Sequence, residues 1–158
     1  MSEPEVIARR AGRVLVIDGR GRLLLLNGFD PADSAPPYWF TVGGGARPGE
    51  SLAQAAAREL GEETGIIASA DDLGEPIWHD VAEFGFDGRL FRQEQDFFLL
   101  KVGQAGIDGG VPEVSTAGAD NEEAAVVLGH RWWTLAELES TKEQLYPAEL
   151  PFLLREHS

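Results

Sequence analysis

Apolar positions fall in short blocks along most of the chain and take a helical spacing after residue 50. Val6 to Ile17 (VIARRAGRVLVI) is β-branched and predicts one or two strands. Asp18-Gly19-Arg20-Gly21 predicts a hairpin turn, with Leu23 to Leu26 a buried strand after it. Phe29 to Pro37 is rich in Pro, Asp and Ala and predicts a loop leading to a strand at Tyr38 to Val42. Further on, Asp71-Asp72-Leu73-Gly74 reads as loop, Pro76 to Phe86 alternates as a strand, and Asp87-Gly88 turns it into a second long strand, Arg89 to Val102. Gln104 to Asn121 is irregular and predicts a mobile loop. Ala124 to Trp133 predicts a final strand, Thr134 to Glu139 a short helix, and Pro147 to Glu156 a C-terminal helix with Pro in its first turn. No repeat or linker interrupts the order. The expectation is one domain over residues 1–158, α/β in class, with a mixed sheet between helices.

The informative helix lies between Ser51 and Gly65. Pro48-Gly49 makes a turn, and Ser51-Leu52-Ala53-Gln54 has the form of a capping box. Leu52, Ala55, Ala56 and Leu60 form an apolar stripe that packs the helix down, and Gly65 stands at the C-cap position. Gly61 is a misfit, because glycine inside a helix costs about 1 kcal/mol relative to alanine. Close packing or a bound ligand there would account for it. Glu59, Glu62 and Glu63 stand at i, i+3 and i+4 and share a face. Carboxylates that close oppose the helix unless something compensates them. A divalent cation is one answer; a solvated acidic stripe is the other.

At this point the residues resemble a known family. Gly44, Glu50, Arg58, Glu59, Leu60, Glu62, Glu63, Gly65 and Ile66 match every specified position of the Nudix box, within the segment GGARPGESLAQAAARELGEETGI. At average residue usage, about 7% for Gly, coincidence falls well below one in a million. The resemblance implies a Nudix-type α/β/α sandwich and a hydrolase that cuts a nucleoside diphosphate linked to another group by water attack at phosphorus. It assigns Glu59, Glu62 and Glu63, with the backbone carbonyl of Gly43, to Mg²⁺ or Mn²⁺, and places Arg58 among the catalytic residues. It also makes Glu50 and Arg58 a buried ion pair that orients the helix against its loop. The chemistry explains the residue types. A diphosphate repels hydroxide, and hard cations held by oxygen ligands neutralise it and acidify the attacking water. A glutamate of the Glu62-Glu63 pair would serve as general base. In one departure, Val42 stands where proline is usual before the two glycines, which predicts a small change in loop rigidity.

Composition narrows the class further. The chain has no cysteine, hence neither a disulfide framework nor a thiol nucleophile. No apolar run approaches a membrane span, and the acidic start Met1-Ser2-Glu3-Pro4-Glu5 is unlike a signal peptide, so a cytoplasmic location is expected. The net charge of −14 argues against a nucleic-acid partner and means that an anionic substrate must be recruited by metals and a few local cations. The partner expected is a nucleotide-like diphosphate, with no membrane; a homodimer is compatible with the resemblance.

Outside the box the candidates are weaker. Glu122 and Glu123 precede the last predicted strand, where the family often places an extra glutamate as metal ligand or base; an exposed acidic loop is the alternative. Glu94 and Asp96 lie on a strand that borders the same cleft or simply face solvent. Tyr38, Trp39, Trp78, Phe84 and Phe86 include candidates for a nucleobase platform, set against an ordinary core role. Trp132-Trp133 is expected to anchor the last helix, and His79, His130 and His157 show no metal spacing. Markers of ADP-ribose, dinucleoside polyphosphate, NADH and coenzyme A hydrolases are not found, which lowers those options without removing them; a nucleoside triphosphate or an NDP-sugar stands level with any other substrate. Two rivals remain: a non-catalytic nucleotide-ligand sensor or interaction module, disfavoured by the intact glutamates, and the isopentenyl diphosphate isomerase branch, disfavoured by the missing cysteine.

Overall fold

The computed structural model describes residues 5–30, 36–86, 88–103 and 126–157. Strand β1 (Val6–Ile17) is a single strand that turns at Asp18 into β2 (Leu23–Phe29). Asp18 makes this turn: its Oδ1 accepts from the Arg20 and Arg22 amides at 3.0 and 2.8 Å, and its Oδ2 pairs with Arg22 Nε at 2.7 Å. The hairpin then opens. Only Ile17 and Leu23 pair across it, and β3 (Tyr38–Gly45) bridges the gap. Val42–Gly45 pair with Val14–Ala11, while Tyr38–Thr41 pair with Gly28–Leu25. The glycine run is thereby pinned beside the middle of β1.

On the other side, β1 pairs in parallel with β5 (Arg89–Lys101) over its full length, and β5 pairs antiparallel with β4 (Trp78–Phe86). Strand β6 (Val126–Trp133) lies on β2, and a two-residue β7 (Leu145–Tyr146) lies parallel to Trp39–Phe40. Among the described residues, seven strands form one mixed sheet.

Both faces are covered. Val14, Val16, Leu24, Leu26, Phe40, Val42 and Phe98 pack against Ala56 and Leu60 of helix α1 (Leu52–Thr64). Leu15, Ile17, Leu23, Leu25, Phe97 and Trp133 pack against Leu138 of α3 (Leu135–Ser140) and Leu150, Leu153 and Leu154 of α4 (Leu150–His157). Adjacent β1 residues thus bury on opposite faces, which is why the run Val14–Ile17 is apolar without alternation. At roughly 1.5–3 kcal/mol for each large side chain buried, these two cores hold the domain together. The expected α/β/α sandwich is the fold.

Several boundaries differ from expectation. Asp71–Gly74 is not plain loop: a short helix α2 (Ala70–Leu73) forms there, because Ser69 and Asp72 make a reciprocal capping box with hydrogen bonds of 2.9 and 3.1 Å. An aspartate replaces the usual Glu or Gln of that box, which hid the signal. The last strand is β7, not β6, and α4 begins at Leu150, not Pro147. The intervening Tyr146–Pro147 peptide is cis. The predicted loop from Gln104 to Asn121 lies outside the described residues. No described helix is long and apolar enough to cross a membrane.

Candidate active site

Helix α1 begins and ends as its residues dictate. Ser51 Oγ accepts from the Gln54 amide at 3.1 Å and Gln54 Oε1 accepts from the Ser51 amide at 2.9 Å. Gly65, at φ 79°, closes the other end through its N–H to the Gly61 carbonyl. The helix sits against β1 at Gly12, where a Cβ would lie 2.1 Å from the Leu52 carbonyl oxygen and 2.9 Å from Ala56. Only glycine permits that approach. Gly61 is different: a Cβ there would meet Ile67 Cδ1 at 3.7 Å, an ordinary contact. Close packing therefore does not explain Gly61.

The loop before the helix is locked by Arg58. Its Nε and Nη2 each donate to one oxygen of Glu50 at 2.9 Å, a two-pronged pair, and Nη2 also donates to the Gly45 carbonyl at 2.9 Å. This guanidinium holds Glu50 below the usual carboxylate range, and Glu50 in turn raises Arg58. Both side chains are mostly buried. The remaining nitrogen, Nη1, donates to Glu59 Oε1 at 2.9 Å and Glu62 Oε2 at 3.3 Å. Arg58 thus compensates part of the carboxylate repulsion that the helix carries.

Glu63 is 3% exposed, and its Oε1 accepts from the Gly43 amide at 2.7 Å. Burial, reinforced by the charge of Glu59, pushes its pKa up to about 8, against the Gly43 amide and Arg13. Burial also raises Glu59, with Arg58 opposing. Gly43 takes φ 139°, and a Cβ on it would strike the Gly12 carbonyl oxygen at 2.3 Å. At Gly44 a Cβ would lie 2.7 Å from the Glu59 carboxyl carbon. The two glycines leave room where the glutamates approach the loop. Val42, in place of proline, is fully buried and pairs with Val14, so the loop continues the β3 ladder.

Sequence reasoning passed over Arg13. Its Nη1 donates to the Gly43 carbonyl at 2.9 Å, and its Nε to Gln95 Oε1 at 3.3 Å; Gln95 Oε1 also accepts from Gln93 at 2.9 Å. Burial lowers its pKa, while Glu63 and Glu59 raise it. An arginine between Gly12 and Val14, at the same strand parity as Leu15 and Ile17, was the available signal. Arg13 engages the carbonyl that the resemblance assigned to a metal.

Among the described residues, no three carboxylate or imidazole groups are arranged to hold a metal ion. The glutamates instead face Arg58 and the Gly43 amide. The donor set is nonetheless all hard oxygen, the Glu59 carboxyl fills the space that a side chain at Gly44 would take, Glu63 lies against the Gly43 amide, and a buried carboxylate with a raised pKa is one that gains from a cation. These residues fit a divalent ion such as Mg²⁺ or Mn²⁺.

Of the other candidates, Glu122 and Glu123 lie outside the described residues. Asp96 Oδ1 sits 2.7 Å from His79 Nδ1, a contact that raises the imidazole pKa. Most of the aromatics considered as base platforms have ring partners: Tyr38 with Phe40 and Tyr146, Trp39 with Trp133, Trp78 with Phe97, and Phe84 with Phe91. Trp133 packs with α3 and α4, as an anchor does.

Comparison with known proteins identifies the family. Residues 7–155 match the family model for the NUDIX domain. The chain is 32% identical over 117 residues to an RNA pyrophosphohydrolase of Roseobacter denitrificans, covering 66% of this chain and 71% of that protein. It is 32% identical over 110 residues to an isopentenyl-diphosphate Delta-isomerase of Halorhodospira halophila, covering 67% of this chain but only 58% of the isomerase. The fold is similar to that of a MutT protein from Methanosarcina mazei, with a TM-score of 0.64 and 20% identity, covering 98% of this chain and 95% of that one. The chain belongs to the Nudix hydrolase family.

Proposed function

We propose that the chain is a divalent-metal-dependent pyrophosphohydrolase acting on a nucleoside diphosphate linked to another group, such as a nucleoside triphosphate or an NDP-sugar. The observation that supports it most is the convergence of Glu63, Glu59 and the Gly43–Gly44 backbone, held by the Arg58–Glu50 pair. Mg²⁺ or Mn²⁺ bound by Glu59, Glu62 and Glu63, with or without the Gly43 carbonyl, would supply charge neutralisation at the diphosphate and acidification of the attacking water.

The chain's own residues do the rest. Arg58 holds α1 in register with the loop, so the glutamates keep their positions relative to Gly43. Arg13 fixes the Gly43 carbonyl and sets a positive charge near the acidic cluster. Gly43 and Gly44 let the Glu63 and Glu59 carboxylates come up against the loop backbone. Water attacks one phosphorus, its proton passes to a glutamate of the Glu62-Glu63 pair, and the bridging P–O bond breaks to leave two phosphate-bearing products. Glu122 or Glu123 would act as an additional ligand or base.

The isomerase name does not carry over, since that branch depends on a catalytic cysteine and this chain has none. A non-catalytic ligand sensor is the second reading, given weight by the capacity of Arg58 to hold Glu59 and Glu62 without metal. A phosphate-release screen with Mg²⁺ and with Mn²⁺ separates them, run on nucleoside triphosphates, NDP-sugars, ADP-ribose, NADH and dinucleoside polyphosphates beside Glu63→Gln. Metal-dependent turnover lost in the variant sustains the hydrolase. Ligand binding without turnover across the panel would replace it with the sensor.

A further inference from the structure

Arg13 stands where three strands meet. It pairs with Gly43 of β3 on one side and with Phe97 of β5 on the other. Gln95 and Gln93 precede Phe97 at alternate positions of β5, so they share a sheet face with Arg13, and they are 7% and 2% exposed. Buried amides need hydrogen-bond partners, and these two find them in a row. Gln93 Nε2 donates to Gln95 Oε1 at 2.9 Å, and the same oxygen accepts from Arg13 Nε at 3.3 Å. The guanidinium is thereby braced from β5 with Nη1 turned toward β3, where it donates to the Gly43 carbonyl at 2.9 Å. Its contact with the Thr41 carbonyl is longer, 3.4 Å.

Gly43 is shaped to receive it. At φ 139°, a Cβ on Gly43 would lie 2.8 Å from Arg13 Cδ, so the Arg13 side chain crosses space that any other residue there would need. Gly43 is held from two directions: Arg13 takes its carbonyl, and Glu63 Oε1 takes its amide at 2.7 Å. The charge of Arg13 also acts on Glu63 and Glu59. Drawing Arg13 away would break its contact with Gln95 and leave a partly buried guanidinium without its acceptors, a costly move.

We propose that Arg13 is a positioning residue that withholds the Gly43 carbonyl from the metal. A divalent ion at the box is then held by the glutamates without that oxygen, and Arg13 keeps Gly43 turned so that its amide meets Glu63. The proposal rests on the metal-dependent reading and departs from the carbonyl ligand that the resemblance implied. The reason is electrostatic. A guanidinium keeps its charge at any working pH, and a cation sharing one acceptor oxygen with it would meet that charge at close range. The glutamates offer anionic oxygens without this opposition.

The test is spectroscopic and uses Mn²⁺ bound to the full chain. Glycine is labelled with ¹³C at its carbonyl, and electron–nuclear double resonance reads whether a labelled carbonyl is bonded to the ion. Protein labelled instead at the glutamate carboxyl carbons is the control and should show coupling. Wild type with labelled glycine should show none. Arg13→Met, checked for folding by its melting temperature, should gain the coupling and bind Mn²⁺ tighter by about threefold or more in calorimetry. Glycine coupling in the wild type overturns the proposal. So does a folded Arg13→Met that stays silent, since tighter binding alone would mean that Arg13 acts only through its charge. If Arg13→Met does not fold, the wild type decides: silence beside a coupled glutamate control sustains the proposal. If the glutamate control is itself silent, the metal is not at the box and the metal-dependent reading fails. The metal-free protein then judges Arg13. With ¹⁵N-glycine, the Gly43 amide proton should move upfield in Arg13→Met as its bond to Glu63 lengthens, and an unmoved signal overturns the positioning role.

Discussion

Glu63 Oε1 accepts a 2.7 Å hydrogen bond from the backbone amide of Gly43, joining the last turn of α1 to the end of the β3 ladder. The contact ties a box glutamate directly to the glycine loop. It makes the geometry of the carboxylate depend on the sheet register, since Gly43 is itself held by pairing with Arg13. The same contact keeps a carboxyl group in a buried position where its ionised form is unfavourable without a cation.

That cost is measurable. Glu63→Gln keeps an oxygen able to accept from Gly43 and removes the buried charge beside Glu59. In EDTA the variant should therefore melt higher than wild type, while turnover with metal falls by orders of magnitude. The sign with pH follows from the raised pKa. The folded protein prefers the protonated form, so this group's favourable contribution is present near pH 4.5 and is lost as pH rises through about 8. The gap in melting temperature between variant and wild type should widen as pH rises from about 5.5, inside that window, to about 8.5, above it. A gap that does not change with pH would mean Glu63 is not titrating there.

Arg58→Ala removes the cation shared by Glu50, Glu59 and Glu62. With Arg58 and Glu50 mostly buried, the loss should be about 2–4 kcal/mol in urea unfolding, somewhat below a fully buried pair because some solvent reaches it. Arg58→Lys keeps the charge but lacks the fork that grips both Glu50 oxygens, and should fall between the two. If Lys restored full stability, the two-pronged geometry would be irrelevant.

The glycines of the site separate into two kinds. Gly12→Ala would drive a methyl into the Leu52 carbonyl, so α1 must shift off β1; a loss of about 1–3 kcal/mol and reduced turnover are expected. Thermal melts and kinetics on one preparation check both.

Gly61→Ala should do the reverse. The space is open and the position helical, so alanine should stabilise by roughly 0.5–1 kcal/mol through helix propensity and the unfolded chain. Turnover on the preferred substrate then reads whether a ligand needs that space. A stabilised variant with lowered kcat/KM would show that it does; a stabilised and fully active one would leave Gly61 without a functional reason.

Much of the local structure was legible in the chain because it depends on neighbours in sequence. The limits of α1 follow from Ser51, Gln54 and Gly65, whose hydrogen bonds span four residues or fewer. The spacing of Glu59, Glu62 and Glu63 needs only the helical repeat, and the Arg58–Glu50 pair was implied by the box. Strands β1 to β3 were marked by β-branched and apolar runs between turn residues. Where local cues were muted, expectation slipped: the Asp72 cap of α2 and the two residues of β7 carry too little periodic signal to stand out.

Tertiary structure decided what pairing across the sheet brings together. The parallel register of β1 with β5 places Arg13 by Gln95 and sets Arg9 over Phe91; no spacing in the chain links residues eighty positions apart. The opening of the β1–β2 hairpin lets β3 enter beside β1, and that alone puts the Gly43 carbonyl on Arg13 and its amide on Glu63. Propensity and capping act over a few residues and can be read along the chain. Burial, desolvation and charge clustering depend on partners that only the folded sheet supplies.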